Sequence, residues 1–338
     1  MKFGPIPVAD SDGAVLARAI KSAGLTLKKG EWIGGDKIAG LQAAGIAEIV
    51  GARLEAGELD ENKAARYLAE TLVGANLHVD VTLTGRCNLR SDCGGLFIVD
   101  AAIIDRVNMI DETITIATLN AFSRVSRGEM VATVKIIPFA VAVASLDHAV
   151  RIAGEAPLRV APFRPLRVGV VSTLLPDLKS SVVEKGLRAL DERLKPTGSK
   201  ITIEERAPHE TGPLASALRR IEAASDLIVI FGASAITDRR DVVPSAIERA
   251  GGRVEHFGMP VDPGNLLLLG SLPGDGNGKP AIGAPGCARS PKENGFDFVL
   301  DRILAGVPVH GTDIMRMGVG GLLLKTGVRP NPGMPSDG

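Results

Sequence analysis

Apolar and polar positions follow one rhythm in the second half of the chain and a less regular one in the first. The strand-like run LRVGVVST (166 to 173) precedes the helical pattern LKSSVVEKGLRALDERL, and SKITIEER precedes GPLASALRRIEAAS. DLIVIFGA (226 to 233) leads to RRDVVPSAIERAG, strand patterns follow in GRVEHFGMP and KPAIGAP, and KENGFDFVLDRILAG closes the series as a helix. Short apolar strands alternating with helices of ten or more residues predict an α/β domain over 164–306, with a doubly wound, mostly parallel sheet. From 307 to 338 the alternation stops. There MRMGVGGLLLKTGV reads as a hairpin and RPNPGMPSDG as a frayed tail, together a C-terminal β extension.

Residues 1–157 read differently. Asp12 to Ala23 has apolar residues at helical spacing and stops at Gly24; Gly35 to Ala44 and Glu58 to Val73 predict two more helices, with IAEIVGARL as a strand between them. The β-rich stretches HVDVTLTG, ETITIATL and MVATVKIIPFAVAVA predict a small barrel or curled sheet inside an α+β N-terminal region. Pro157, Pro162 and Pro165 mark the break before the α/β domain.

Charge narrows the partners. The 338 residues carry 39 Lys+Arg against 39 Asp+Glu, a balance unlike the cationic surplus with which proteins neutralise nucleic-acid phosphates or acidic membranes. Aromatic residues are only 3%, too few for a base-stacking surface, so neither nucleic acid nor membrane is an expected partner. The 40 Gly and 21 Pro point instead to tight turns and backbone-lined sites. Three cysteines do not make a disulfide framework, no apolar run is long enough to span a bilayer, and MKFGP does not begin a signal peptide; a cytoplasmic protein is expected.

In an open α/β sheet, ligands bind beyond the carboxyl ends of the strands. GVVSTLLPDL has no glycine after its strand, and no G-x-x-x-x-G-K-[ST] occurs, which argues against dinucleotide and P-loop nucleotide sites. In FGASAITDRRD, Gly232, Ala233 and Ser234 allow close approach of a ligand to the backbone, and Ser234 and Thr237 add hydroxyls. Asp238 and Asp241, three apart at a predicted helix start, could hold Mg²⁺, or Asp241 could simply cap the helix. Pro263-Gly264-Asn265 and Pro285-Gly286-Cys287-Ala288 could turn amides toward an anion or be plain turns. Arg289, Lys292 and Asn294 stand where a phosphate could meet a helix N-terminus.

The order of RVGVVST, DLIVIFGASAITDRRD, HFGMPVDPGN and GAPGCARSP, covering roughly 166 to 306, resembles the molybdopterin-binding domain of molybdenum-cofactor biosynthesis proteins, chiefly the molybdopterin molybdotransferase branch. MKFGP, GRCNL, GLFIVD and the closing MGVGGLL resemble molybdopterin-binding regions that are sometimes joined to a nucleotidyltransferase, although no nucleotidyltransferase loop is found in this sequence. The resemblance implies that the chain binds molybdopterin or molybdenum cofactor as a carrier or binding module. Ser172 and Thr173 would line the cleft, the loops named above would hold the phosphate, and Asp238 and Asp241 would face the metal end as catalytic or metal-binding groups. It also implies the alternative of a transferase inserting molybdate into molybdopterin or its adenylate with Mg²⁺, handover to a nucleotidyltransferase or molybdoenzyme, and a homo-oligomer.

The sequence departs from that family at informative places. Leu174-Leu175-Pro176-Asp177 replaces the family's Gly-Asp-Glu, Ala233 replaces a second glycine, and Cys287-Ala288 replaces Asn-Pro, which weakens the transferase reading more than the binding one. Cys87 and Cys93 in GRCNLRSDCGG lack a zinc spacing, Arg86, Asn88 and Arg90 beside them form either a local basic group or a solvated turn, and the five histidines show no ligand pattern.

Overall fold

The computed structural model describes residues 1–22, 24–274, 276 and 278–323. Contacts divide the chain into two compact units, Met1–Pro162 and Phe163–Gly338. The fold is mixed α/β, with one large, mostly parallel sheet and several small antiparallel ones.

In the first unit, Lys2–Pro7 pairs with Glu48–Arg53, which also pairs with Val15–Leu16. The helix expected over Asp12 to Ala23 is therefore not formed. Val15 and Leu16 are consecutive and both buried, as a strand between two layers requires, and Ile20–Ser22 turns back on Leu25–Leu27 as a hairpin; Ala23 lies outside the described residues. The β-rich stretch folds as open sheets rather than a barrel: four strands run in the order Ile114–Thr118, Met130–Ile136, Arg86–Ser91, Leu77–Val79, and three more place Gly95–Ile98 between Arg124–Val125 and Arg159–Pro162. Helix Glu61–Leu72 covers the four-stranded sheet with Ala64, Ala65, Leu68, Ala69 and Leu72, all fully buried at helical spacing. Asp60 caps it by accepting the Asn62 and Lys63 amides at 3.2 and 3.1 Å. Helix Val143–Ala153 follows directly on strand Ala140–Ala142, so part of the apolar run read as strand is helical.

The second unit carries the large sheet. Its strands are β1 (Arg167–Leu174), β2 (Lys200–Pro208), β3 (Leu227–Phe231), β4 (Arg253–Phe257), β5 (Leu268–Leu272) and β6 (Lys279–Ala284). The order across the sheet is β2-β1-β3-β6-β5-β4, parallel through β2, β1, β3 and β6 and antiparallel at β5 and β4. Helices α1 (Ser180–Leu194), α2 (Thr211–Glu222), α3 (Val242–Arg249) and α4 (Gly295–Leu304) cover both faces. Leu190 and Leu194 of α1 and Phe296 and Leu300 of α4 pack on Val168, Val170 and Val229. On the other face, Leu214 and Leu218 of α2 and Val243 and Ile247 of α3 pack on Val171, Ile228 and Ile230. The alternation of Val170 and Val171 between the two cores follows from the two-residue period of a strand buried on both sides.

The hairpin expected near the C-terminus is absent from its described part. Gly311–Met315 is a short helix followed by a 3-10 turn at Arg316–Gly318, and Ile314 and Met317 join the same core as α1 and α4. The rest of that expected hairpin and the expected tail lie outside the described residues. Among those described, no helix is long and apolar enough to cross a membrane.

Candidate functional site at the strand ends

Register decides which loops meet. Ser172 pairs with Phe231 and Phe231 with Ala284, so Thr173, Gly232 and Pro285 are the next residues on neighbouring strands at one edge of the sheet. Leu174 pairs with Pro208, which brings His209 to the same edge, and the run Phe257, Leu268, Gly283 places the 258–267 loop there too. From this edge β1 feeds α1 on one face while β3 feeds α3 on the other. The loops after adjacent parallel strands therefore part, which opens the crevice that α/β sheets use for ligands.

Thr173 ties that crevice together. Its buried Oγ1 accepts the Ala233 N–H at 2.7 Å and lies 2.8 Å from His209 Nδ1. When the hydroxyl donates to Nδ1, the neutral ring carries its hydrogen on Nε2. The role of His209 as an organiser had no signal in the sequence, because it depends on two strands pairing. Next to Thr173, the Ser172 hydroxyl is buried with no hydrogen-bond partner among the described residues.

Arg289 reaches into the same region. It donates from a terminal nitrogen to Gly232 O at 2.8 Å, and its guanidinium stands 5.3 Å from the centre of the Phe231 ring. Among the described residues its buried Nε has no partner, and no carboxylate neutralises it. Burial accordingly pulls its pKa down from the ordinary arginine value. Room for the side chain comes from Gly186, where a Cβ would stand 3.4 Å from Arg289 Cγ. On the Gly232 turn, Ser234 and Ala235 are exposed and their amides have no acceptor among the described residues.

The two aspartates are engaged separately. Asp241 is the N-cap of α3, accepting the Val242 amide at 2.7 Å through one oxygen and the Thr237 amide at 3.2 Å through the other. Asp241→Ala is expected to cost about 1 kcal/mol of stability through the lost cap, as a lower urea midpoint would register. Exposed Asp238 accepts from Arg240 at both its amide and Nε, each at 2.8 Å. The Arg240 side chain is the main reason its carboxyl is pushed down to about 2. No group of three His, Cys, Asp or Glu side chains suited to a metal occurs among the described residues.

The remaining loops are fastened to α4. A Cβ on Gly264 (φ +146°) would stand 2.8 Å from the Gly295 Cα and N, and the Gly295 amide donates to Pro263 O at 2.8 Å. Asn265 on the same turn is exposed, with its carbonyl accepting the Met259 amide. Buried Asn294 caps α4 in a reciprocal capping box with Asp297. Its side-chain amide donates to Lys292 O at 2.9 Å, and its Oδ1 lies 3.6 Å from Cys287 Sγ. Asn294 is thus committed to the helix rather than to a ligand. Burial raises the Cys287 thiol, which favours the neutral form over a metal-binding thiolate. Gly286 and the Lys292 side chain remain exposed.

Buried Arg193, inside α1, holds this loop from below. It donates to Ala288 O at 3.1 Å, Ser290 O at 2.8 Å and Lys292 O at 3.2 Å, and pairs with Asp297 at 2.5 Å. The Cys87 and Cys93 pair belongs to the first unit. Burial raises both thiols, Arg90 pairs with Asp80 at 2.8 Å, and Asn88 accepts from Thr133 at 2.8 Å.

No family model matches the sequence, and no curated protein matches it significantly. Among solved structures, a molybdopterin biosynthesis moea protein from Pyrococcus horikosii superposes with 14% identity and a TM-score of 0.32, covering 92% of this chain and 76% of that one. A molybdenum cofactor biosynthesis protein from Pyrococcus furiosus gives 13% and 0.23, covering 90% and 61%. Both superpositions are too loose to argue from, and the functional reading rests on the residues above.

Proposed function

We propose that this chain binds molybdopterin, or the molybdenum cofactor built on it, at the carboxyl edge of the large sheet, as a binding or carrier module in molybdenum cofactor biosynthesis. The observation that carries this reading is Arg289, a half-buried cation beside the Gly232 turn with no carboxylate partner among the described residues. An anionic ligand supplies what that guanidinium lacks, and a phosphate matches its planar fork. The exposed amides of Ser234 and Ala235 and the Gly286 turn would complete the cradle, with Thr173 fixing its floor through Ala233. In this role the protein would work in the cytoplasm as a homo-oligomer and pass its ligand to a nucleotidyltransferase or a molybdoenzyme.

Asp241 caps a helix and Asp238 is paired with Arg240, so the carboxylates that a metal-insertion step would draw on are already engaged. The alternative, a molybdotransferase working with Mg²⁺, would need Asp238 to leave Arg240; its exposure is what keeps that route open. The test is fluorescence titration of the purified protein with molybdopterin, followed by addition of molybdate and Mg²⁺. Saturable binding with no accelerated molybdate uptake is expected. Uptake that disappears in Asp238→Ala would move the assignment to the transferase, and absence of pterin binding would end both readings.

A further inference from the structure

A second cavity of about 470 Å³ opens at the opposite, amino edge of the large sheet. Leu166 precedes β1, Asp226 precedes β3, Arg253 begins β4 and Pro280 is the second residue of β6, so the cavity sits at the strand starts, closed by β5 and by the segment from Ile303 to His310, away from the crevice described above. Its volume lies in the ordinary range for small-molecule sites, roughly 300 to 1,000 Å³.

Apolar wall is supplied by Leu166, Leu269, Ile303, Val307 and Val309. Of the charged groups, Asp226 is already neutralised by Arg167, which grips both its oxygens at 2.7 and 3.1 Å. Glu255 accepts from or pairs with His310 Nδ1 at 3.2 Å and stands 4.0 Å from Arg253. Arg164 differs from these: no ion pair is formed by it among the described residues. It is nonetheless held in place. Its amide donates to Leu304 O at 2.8 Å, its carbonyl accepts from Ser199 at 3.1 Å, and its guanidinium lies against Gly306, where any Cβ would collide with it. Gly306 has φ +66°, so the turn that presents this bare backbone to Arg164 itself suits glycine.

We propose that this cavity is a binding site for a small amphipathic monoanion, an apolar body ending in one carboxylate, with Arg164 as its counter-ion. One uncommitted cation beside an apolar wall selects a single negative charge with a hydrocarbon tail. A neutral or cationic ligand of the same shape leaves Arg164 unmatched, or repels it.

The site is independent of the strand-end reading and is tested separately, by calorimetric titration of the full chain with hexanoate, hexanol and hexylammonium. Hexanoate is expected to bind saturably and more tightly than the other two. Arg164→Gln, at an exposed position, is expected to raise the hexanoate Kd about tenfold and to leave any hexanol binding unchanged. Val309→Trp, which would fill the cavity, should abolish hexanoate binding while Arg164→Gln confirms the effect in a fold with unaltered core. The proposal is overturned if hexanoate does not bind, if hexylammonium binds as well, or if Arg164→Gln binds hexanoate like the unaltered chain.

Discussion

Arg289→Ala is expected to weaken molybdopterin binding by about ten- to a hundredfold, the range that a charge-assisted hydrogen bond controls. The guanidinium is bonded to Gly232 O and has no carboxylate partner among the described residues, and alanine removes both its charge and its donor fork. The same change deletes the bond to Gly232 O and the contact with the Phe231 ring, which together contribute about 1 kcal/mol to stability. Fluorescence titration beside urea denaturation separates the two effects. Arg289→Lys keeps the charge without the planar fork and should fall between wild type and alanine. If Arg289→Ala folds and binds molybdopterin with unchanged affinity, the phosphate is not held at this edge.

Arg193→Met is expected to lower stability by about 3 kcal/mol, near the lower end for breaking a buried ion pair. Methionine replaces the aliphatic stem but none of the donors. Asp297 then keeps the Asn294 amide but loses its ion-pair partner, and the carbonyls of Ala288, Ser290 and Lys292 lose a donor they share. A reduced urea midpoint should be accompanied by faster amide exchange across 286–294, because those carbonyls are what pin the loop to α1. Destabilisation below about 1 kcal/mol would mean that the pair behaves like a surface ion pair and does not organise the loop.

The second unit was the more legible part of the sequence because its signals are local. Glycine and proline punctuate apolar runs there, and each helix repeats its apolar face. Asp12 to Ala23 misled for a physical reason: alanine and leucine at helical spacing favour a helix, yet Val15 and Leu16 are captured by pairing with Gly51 and Ala52, residues remote in sequence. Leu268–Leu272 went unrecognised because a leucine run without alternation says little about period. In the site, turns were readable from their residue types, and the alternative of Asp241 as a cap was visible from its place before a helix. Partners across the sheet were not. Nothing in LKSSVVEKGLRALDERL distinguishes Arg193 from its solvated neighbours, and the link from His209 through Thr173 to Ala233 exists only once three strands are in register.

Gly264 and Gly295 touch backbone to backbone, with the Gly295 amide bonded to Pro263 O. This fastens the 258–267 loop to the start of α4, so that wall of the crevice is expected to move with the helix rather than as a separate lid. If the crevice takes a ligand as proposed, the banks left to move are the segments 175–179 and 234–240, largely exposed except for Ile236 and tied down by fewer backbone bonds.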